Sequence, residues 1–238
     1  ANVSDRIEKT FTSVNFNMMI MVIYALITIA IFGMWYYARY EGNFLPSPKK
    51  TFNPMMLVAI VILVPGTQFA ANFIANLTGY IRPDWLQQYN ELFETSGITD
   101  TTFVTVLYSV ILAPICEELI FRGVTMRCAR KALPFALANL IQAALFGLFH
   151  LNWIQGIYAF ALGIVLGYVC ECGGSIYYSI GLHLLFNLWG TLSGFFPDPG
   201  NSVVVSVIVI AVTIVSLTAG FVLFNKGRRK LPINSTGI

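Results

Sequence analysis

The segment TFVTVLYSVILAPICEELIFR, residues 102–122, decides how the rest of the chain is read. From Thr102 to Cys116 it carries no charge, and then Glu117, Glu118 and Arg122 follow in quick succession. A helix needs about 20 mainly apolar residues to cross the hydrocarbon core of a bilayer. The surrounding chain has the same character: 57% of its 238 residues are hydrophobic and 11% are charged. Soluble domains carry about 25% charged residues. With lipid as the solvent, backbone polar groups must be satisfied within the segment, which a helix does. Working outward from this segment, apolar runs predict about seven spans: Asn17 to Tyr37, Met55 to Thr78, Thr102 to Phe121, Leu133 to Phe149, Trp153 to Val169, Ile176 to Ser193 and Ser202 to Phe224. The expected fold is therefore all-α, a polytopic transmembrane helix bundle.

The basic residues fix an expected orientation. Arg39, Lys49 and Lys50 follow the first span, Arg127, Arg130 and Lys131 the third, and Lys226, Arg228, Arg229 and Lys230 the last. Alternation of the spans puts all three groups on one side, and basic residues favour the cytoplasmic side. The C-terminus is then cytoplasmic and the N-terminus outside. The loop from Arg82 to Asp100 falls on the opposite side, is mostly acidic (Asp84, Glu91, Glu94, Asp100), and predicts an interfacial helix around Trp85 to Phe93. Basic clusters in such a chain read as membrane topology signals, so the lipid bilayer is the expected partner and nucleic acid is not. The first apolar run is too long for a signal-peptide core and reads as a retained span. The chain divides into residues 1–100 (two spans and the acidic loop), 101–194 (a core of four spans) and 195–238 (the last span and basic tail), all within one membrane domain. The four cysteines, Cys116, Cys128, Cys170 and Cys172, form no C-x-x-C pair and read as structural thiols.

Ionisable groups inside a bilayer are costly and by default functional. In the central spans they are Glu117, Glu118, Arg122, His150 and His183, and the chain has only two histidines. Glu118 and Arg122 stand four residues apart with the acid N-terminal, the favourable order for a helical ion pair. Glu117 lies about 100° around the helix from Glu118 and can face elsewhere. A carboxylate in apolar surroundings is a stronger base than one in water. Phe146 and His150, and His183 and Asn187, also share helical faces at four-residue spacing. Bundled, the three spans predict one polar intramembrane cavity. In it, a glutamate and a histidine suffice to deprotonate water, and a histidine and an asparagine to stabilise an oxyanion. No G-x-S-x-G turn supports a serine mechanism, and the neighbouring carboxylates make Cys116 a poor nucleophile. Two histidines and two glutamates also fit a zinc site, although no H-E-x-x-H is present. A proton-coupled transporter is a third use of such residues.

Glu117-Glu118-x-x-x-Arg122, Phe146-x-x-x-His150 and His183-x-x-x-Asn187, in this order and each in its own span, resemble the three motifs of the CAAX-protease and bacteriocin-processing family of intramembrane glutamate proteases, which includes the type II CAAX prenyl endopeptidases. The resemblance covers roughly Thr102 to Gly194. It implies that Glu117 activates water together with His150, that His183 and Asn187 stabilise the oxyanion, that Glu118 and Arg122 hold the site in shape, and that Phe146 packs beside it. It implies a metal-independent endopeptidase without cofactor, acting on a peptide or membrane-protein substrate. A catalytically idle relative serving as scaffold, immunity or regulatory factor is the alternative.

Other polar features are ambiguous. Gln68, Asn72 and Asn76 form one stripe in the second span, fitting either a substrate path or helix packing. Pro65 predicts a kink there. Gly163 and Gly167 predict close packing of the fifth span. The depths of the motifs disagree: counted at 1.5 Å per residue from the basic end, Glu117 lies about 20 Å in, His150 about 25 Å and His183 about 13 Å.

Overall fold

The computed structural model describes residues 14–41, 52–96, 102–193 and 202–228. Lys49, Lys50, Asp100, Arg229 and Lys230, on which part of the orientation argument rests, lie outside the described residues. Among the described residues all regular structure is helical: α1 Val14–Tyr36, continued by a π turn Tyr37–Glu41, α2 Pro54–Ile81, α3 Pro83–Ser96, α4 Phe103–Arg130, α5 Phe135–Phe149, α6 Trp153–Gly173, α7 Ile176–Ser193 and α8 Val203–Arg228. A helix, α3, stands where the interfacial one was expected.

Five of these are long and apolar enough to cross a membrane: Phe16–Arg39, Pro54–Ile81, Phe103–Arg130, Trp153–Gly173 and Val203–Arg228. Two expected spans are not. The helix α5 has 15 residues, about 22 Å, against a hydrocarbon core of about 30 Å. In α7 the 18 residues include Ser179, His183 and Asn187, which dilute its apolar run. Both carry motif residues: Phe146 and, at its C-terminal end, His150 on α5, and His183 and Asn187 on α7. The third span also runs further than expected, to Arg130, so Arg127 and Arg130 belong to its last helical turn.

A buried cluster including Leu63, Phe121, Phe146, Leu166, Tyr178 and Phe224 joins α2, α4, α5, α6, α7 and α8. Large apolar side chains such as Ile27, Val207 and Val215 point outward from α1 and α8, as lipid-facing residues must. With no hydrophobic drive between helices in lipid, small residues decide which backbones approach. On α8, a β-carbon at Gly220 would stand 2.6 Å from Leu63, and one at Gly227 would stand 2.5 Å from Met56. Between α5 and α6, Gly147 and Gly156 meet backbone to backbone, Gly163 lies on Ala143, and Gly167 on Asn139. The expected close packing of Gly163 and Gly167 is thus packing on α5.

Pro65 falls inside α2, and the helix is repaired from outside. Gly66 N–H donates to Ser216 Oγ at 2.9 Å, and the same hydroxyl donates to the Ile62 carbonyl. A side chain of α8 thus stands in the gap where Gly66 would bond Ile62, the kind of insertion that re-satisfies a broken transmembrane helix.

The bundle has two distinct ends. At one, Arg130 pairs with Glu171 at 3.0 Å, and Arg228 donates to Cys172 Sγ at 3.3 Å. At the other, Trp85 of α3 stacks on Trp153 of α6, centroids 5.4 Å apart, with the Arg82 guanidinium 4.3 Å above Trp85. Asp84 receives two hydrogen bonds from Arg82, which hold its carboxyl below the usual value.

Candidate active site

The helix α4 is not regular. Two π segments, Leu107–Leu112 and Leu119–Met126, flank the α-helical turn and a half Ala113–Glu118 that carries both glutamates. Such π insertions are rare and concentrate at functional sites. Here the first has a readable cause. Ala113 N–H bonds to the Tyr108 carbonyl, five residues back. Continuing that register would bond residue 114 to Ser109, but Pro114 has no N–H. The missing donor comes from α7: Asn187 Nδ2 donates to the Ser109 carbonyl at 2.8 Å. The proline thus explains why an asparagine from another helix reaches this turn.

Behind the turn lies a fully buried polar anchor. Arg122 and Glu118 are both 0% exposed, with Arg122 Nη1 2.8 Å from Glu118 Oε1. The other arm of Arg122 donates to the Gly163 carbonyl at 3.1 Å, and its guanidinium lies 4.6 Å from the Phe146 ring centroid. Gly163 can offer that carbonyl because α5 and α6 approach so closely. Gln142 Nε2 donates to the same carbonyl at 2.9 Å and to Asn139 Oδ1 at 2.7 Å. Charges out of water survive only when paired and hydrogen-bonded, and this pair is held from three helices.

His183 connects the anchor to Glu117. Its Nδ1 is 2.9 Å from Glu118 Oε1, and its Nε2 is 3.6 Å from Glu117 Oε2. An ionised carboxylate only accepts, so the imidazole donates to Glu118 and that bond sets its orientation. His150 caps the C-terminus of α5. Its Nδ1 is 2.8 Å from the Phe146 carbonyl. A carbonyl cannot donate, so Nδ1 carries the proton and, in the neutral ring, Nε2 is left with its lone pair. Phe146 packs edge-on against both imidazoles, at 5.0 Å from His150 and 5.7 Å from His183. The next residue, Leu151, has φ of 52°, a left-handed conformation that is strained for leucine.

Glu117, Phe146, His150, His183 and Asn187 all line one cavity of about 590 Å³. Glu118 and Arg122 are not on its wall. Gln68 and Asn72 line it and Asn76 does not. The depth conflict between motifs disappears because His150 sits at the end of a short helix. The cavity wall includes Tyr89 and Leu92 of α3, Gln155 and Tyr158 near the start of α6, and Thr191 near the end of α7. It therefore lies toward the α3 end, away from Arg130 and Arg228. Burial raises the Tyr89 hydroxyl above its usual value.

Sequence reasoning missed several residues. Asn139 and Gln142, three residues apart in an apolar run, carried a visible signal as a polar pair. Tyr108, Ser109, Gln155 and Tyr158 had only mild polarity to mark them. The Glu118–His183 bond spans 65 residues and had no local signal. Among the described residues no group of three or more His, Cys, Asp or Glu is arranged to hold a metal ion.

Residues 99–189 match the family described as Rce1-like, type II CAAX prenyl endopeptidase. That segment holds all three motifs, and over these residues the chain is similar to the family that the motifs resemble. Neither a comparison with curated proteins nor one with solved structures gave a match. The chain is thus a multi-pass helical membrane protein in which residues 99–189 are similar to the type II CAAX prenyl endopeptidase family.

Proposed function

We propose that this protein is a metal-independent intramembrane endopeptidase in which Glu117 and His150 activate a water molecule. The observation that carries the reading is the convergence of Glu117, Phe146, His150, His183 and Asn187, from three helices, on one cavity wall. In the proposed reaction, water bound between Glu117 and His150 Nε2 attacks the scissile carbonyl carbon and gives up a proton to this pair. The oxyanion is stabilised by Asn187 and by His183 Nε2 when that imidazole carries both protons. The same proton then passes to the leaving nitrogen as the C–N bond breaks, yielding a carboxylic acid and an amine. No covalent intermediate is required.

Glu118 and Arg122 act on His183, not on substrate. Since the matched family is described by CAAX prenyl endopeptidases, farnesylated C-terminal peptides are the first substrate class to try, beside unmodified peptides and membrane-protein segments. The test is incubation of the liposome-reconstituted protein with a proteome-derived peptide library, spiked with farnesyl-cysteine peptides, and mapping of products by mass spectrometry. New termini that persist with 1,10-phenanthroline are expected. Cleavage lost to the chelator and restored by zinc would overturn the metal-free mechanism.

A further inference from the structure

Gln68 belongs to none of the three motifs and lies outside residues 99–189, yet it stands on the wall of the cavity. It is 8% exposed, and its Oε1 has no hydrogen-bond partner. Glu118 Oε2, Arg122 Nε and Gln142 Oε1 are also unpaired, but those residues sit behind the cavity in the anchor. Gln68 is the one that borders the space where a ligand would lie.

An unpaired buried acceptor is unfavourable, and an apolar residue of the same volume would avoid that cost. Opposite Gln68, α7 presents Gly190, where an added β-carbon would come 3.8 Å from Gln68 Nε2. Gly190 and Asn72, one turn further along α2, also line the cavity. Gly190 leaves α7, the helix that carries Asn187, without a side chain at this point, so the glutamine amide packs close to its backbone at the edge of the cavity.

A ligand that supplies donors along such a cavity wall is an extended peptide backbone, which offers an N–H at every residue but proline. The terminal torsion of a glutamine is broad, so a modest rotation turns Oε1 toward that backbone. We propose that Gln68 is a substrate-binding residue whose Oε1 accepts a backbone N–H of the peptide close to the scissile bond. This inference rests on the reading of the cavity as a peptidase site.

The experiment uses the peptide cleaved fastest in the library above, resynthesised with each backbone amide near the cleavage point replaced in turn by an ester. The ester removes one N–H and little else. In the native protein, one ester position is expected to lower kcat/KM about tenfold, the worth of one hydrogen bond of about 1.4 kcal/mol. Gln68→Met, similar in volume, is expected to lose about the same factor on the all-amide peptide and to show no further loss at that ester. Gln68→Asn, with its acceptor retracted by one methylene, serves as second variant if the first is not monodisperse in detergent. An ester penalty equal in native and variant proteins at every position overturns the role of Gln68 while leaving the peptidase reading intact. If no peptide is cleaved, or Glu117→Gln cleaves as fast as the native protein, the peptidase reading falls and this inference with it.

Discussion

Glu118 does two jobs through one oxygen: Oε1 receives both Arg122 and His183. Removing the cation strands a carboxylate out of water, so Arg122→Leu is expected to destabilise the protein by about 3–5 kcal/mol. Glu118→Gln combined with Arg122→Met is expected to cost less than Arg122→Leu alone, a comparison that thermal unfolding in detergent decides. Asn187→Ala removes the donor to Ser109 and the proposed oxyanion donor together. A fall in kcat of about 10²-fold is expected, the range for one such donor, with KM little changed. Leu151 carries local strain at φ of 52° and is 94% exposed. Leu151→Asn, a residue that tolerates this conformation, is expected to raise stability by about 0.5–1 kcal/mol, read from the unfolding midpoint. At this scale the motif residues were legible because charge and imidazole stand out against apolar sequence. The bond between Glu118 and His183 was not, because nothing in either helix records the position of the other.

Among the elements, α4 and the α2–α8 pair are shaped by what a proline takes away. Pro114 withholds an N–H from Ser109, and Pro65 interrupts α2 beside Gly66; Asn187 and Ser216 are the side chains that answer. Ser216→Ala leaves the Gly66 N–H buried without that partner, so a loss of about 1–3 kcal/mol is expected. A smaller loss than for a surface serine would contradict this account of the repair. Helix positions were readable from apolar runs, and α7 has the expected limits. The π segments were not readable, since a π turn has no compositional mark and proline predicts only that something must yield. The extension of α4 to Arg130 was also missed, because the basic residues read as a loop when they form the last turn.

For the whole molecule, the two ends differ in chemistry, with Arg130 and Arg228 at one and α3 with the cavity near the other. If the basic end is cytoplasmic, the proposed site faces the opposite compartment. Cys128 is exposed at the basic end and serves as a built-in reporter. A membrane-impermeant maleimide on intact cells is expected to label Gln88→Cys on α3 and to reach Cys128 only after lysis; the reverse pattern would invert the topology. That a buried polar site exists was legible from composition and motifs, whereas its place near one end was not, because it depends on α5 being short and His150 lying at its terminus. The central claim is that Glu117 is the base for peptide hydrolysis. Its most direct test is the cleavage rate of one mapped peptide by the native protein and by Glu117→Gln in the same liposomes. Loss of a general base is expected to lower kcat by at least about 10²–10⁴-fold, with the unfolding midpoint retained. Equal cleavage by a correctly folded Glu117→Gln protein would contradict the account.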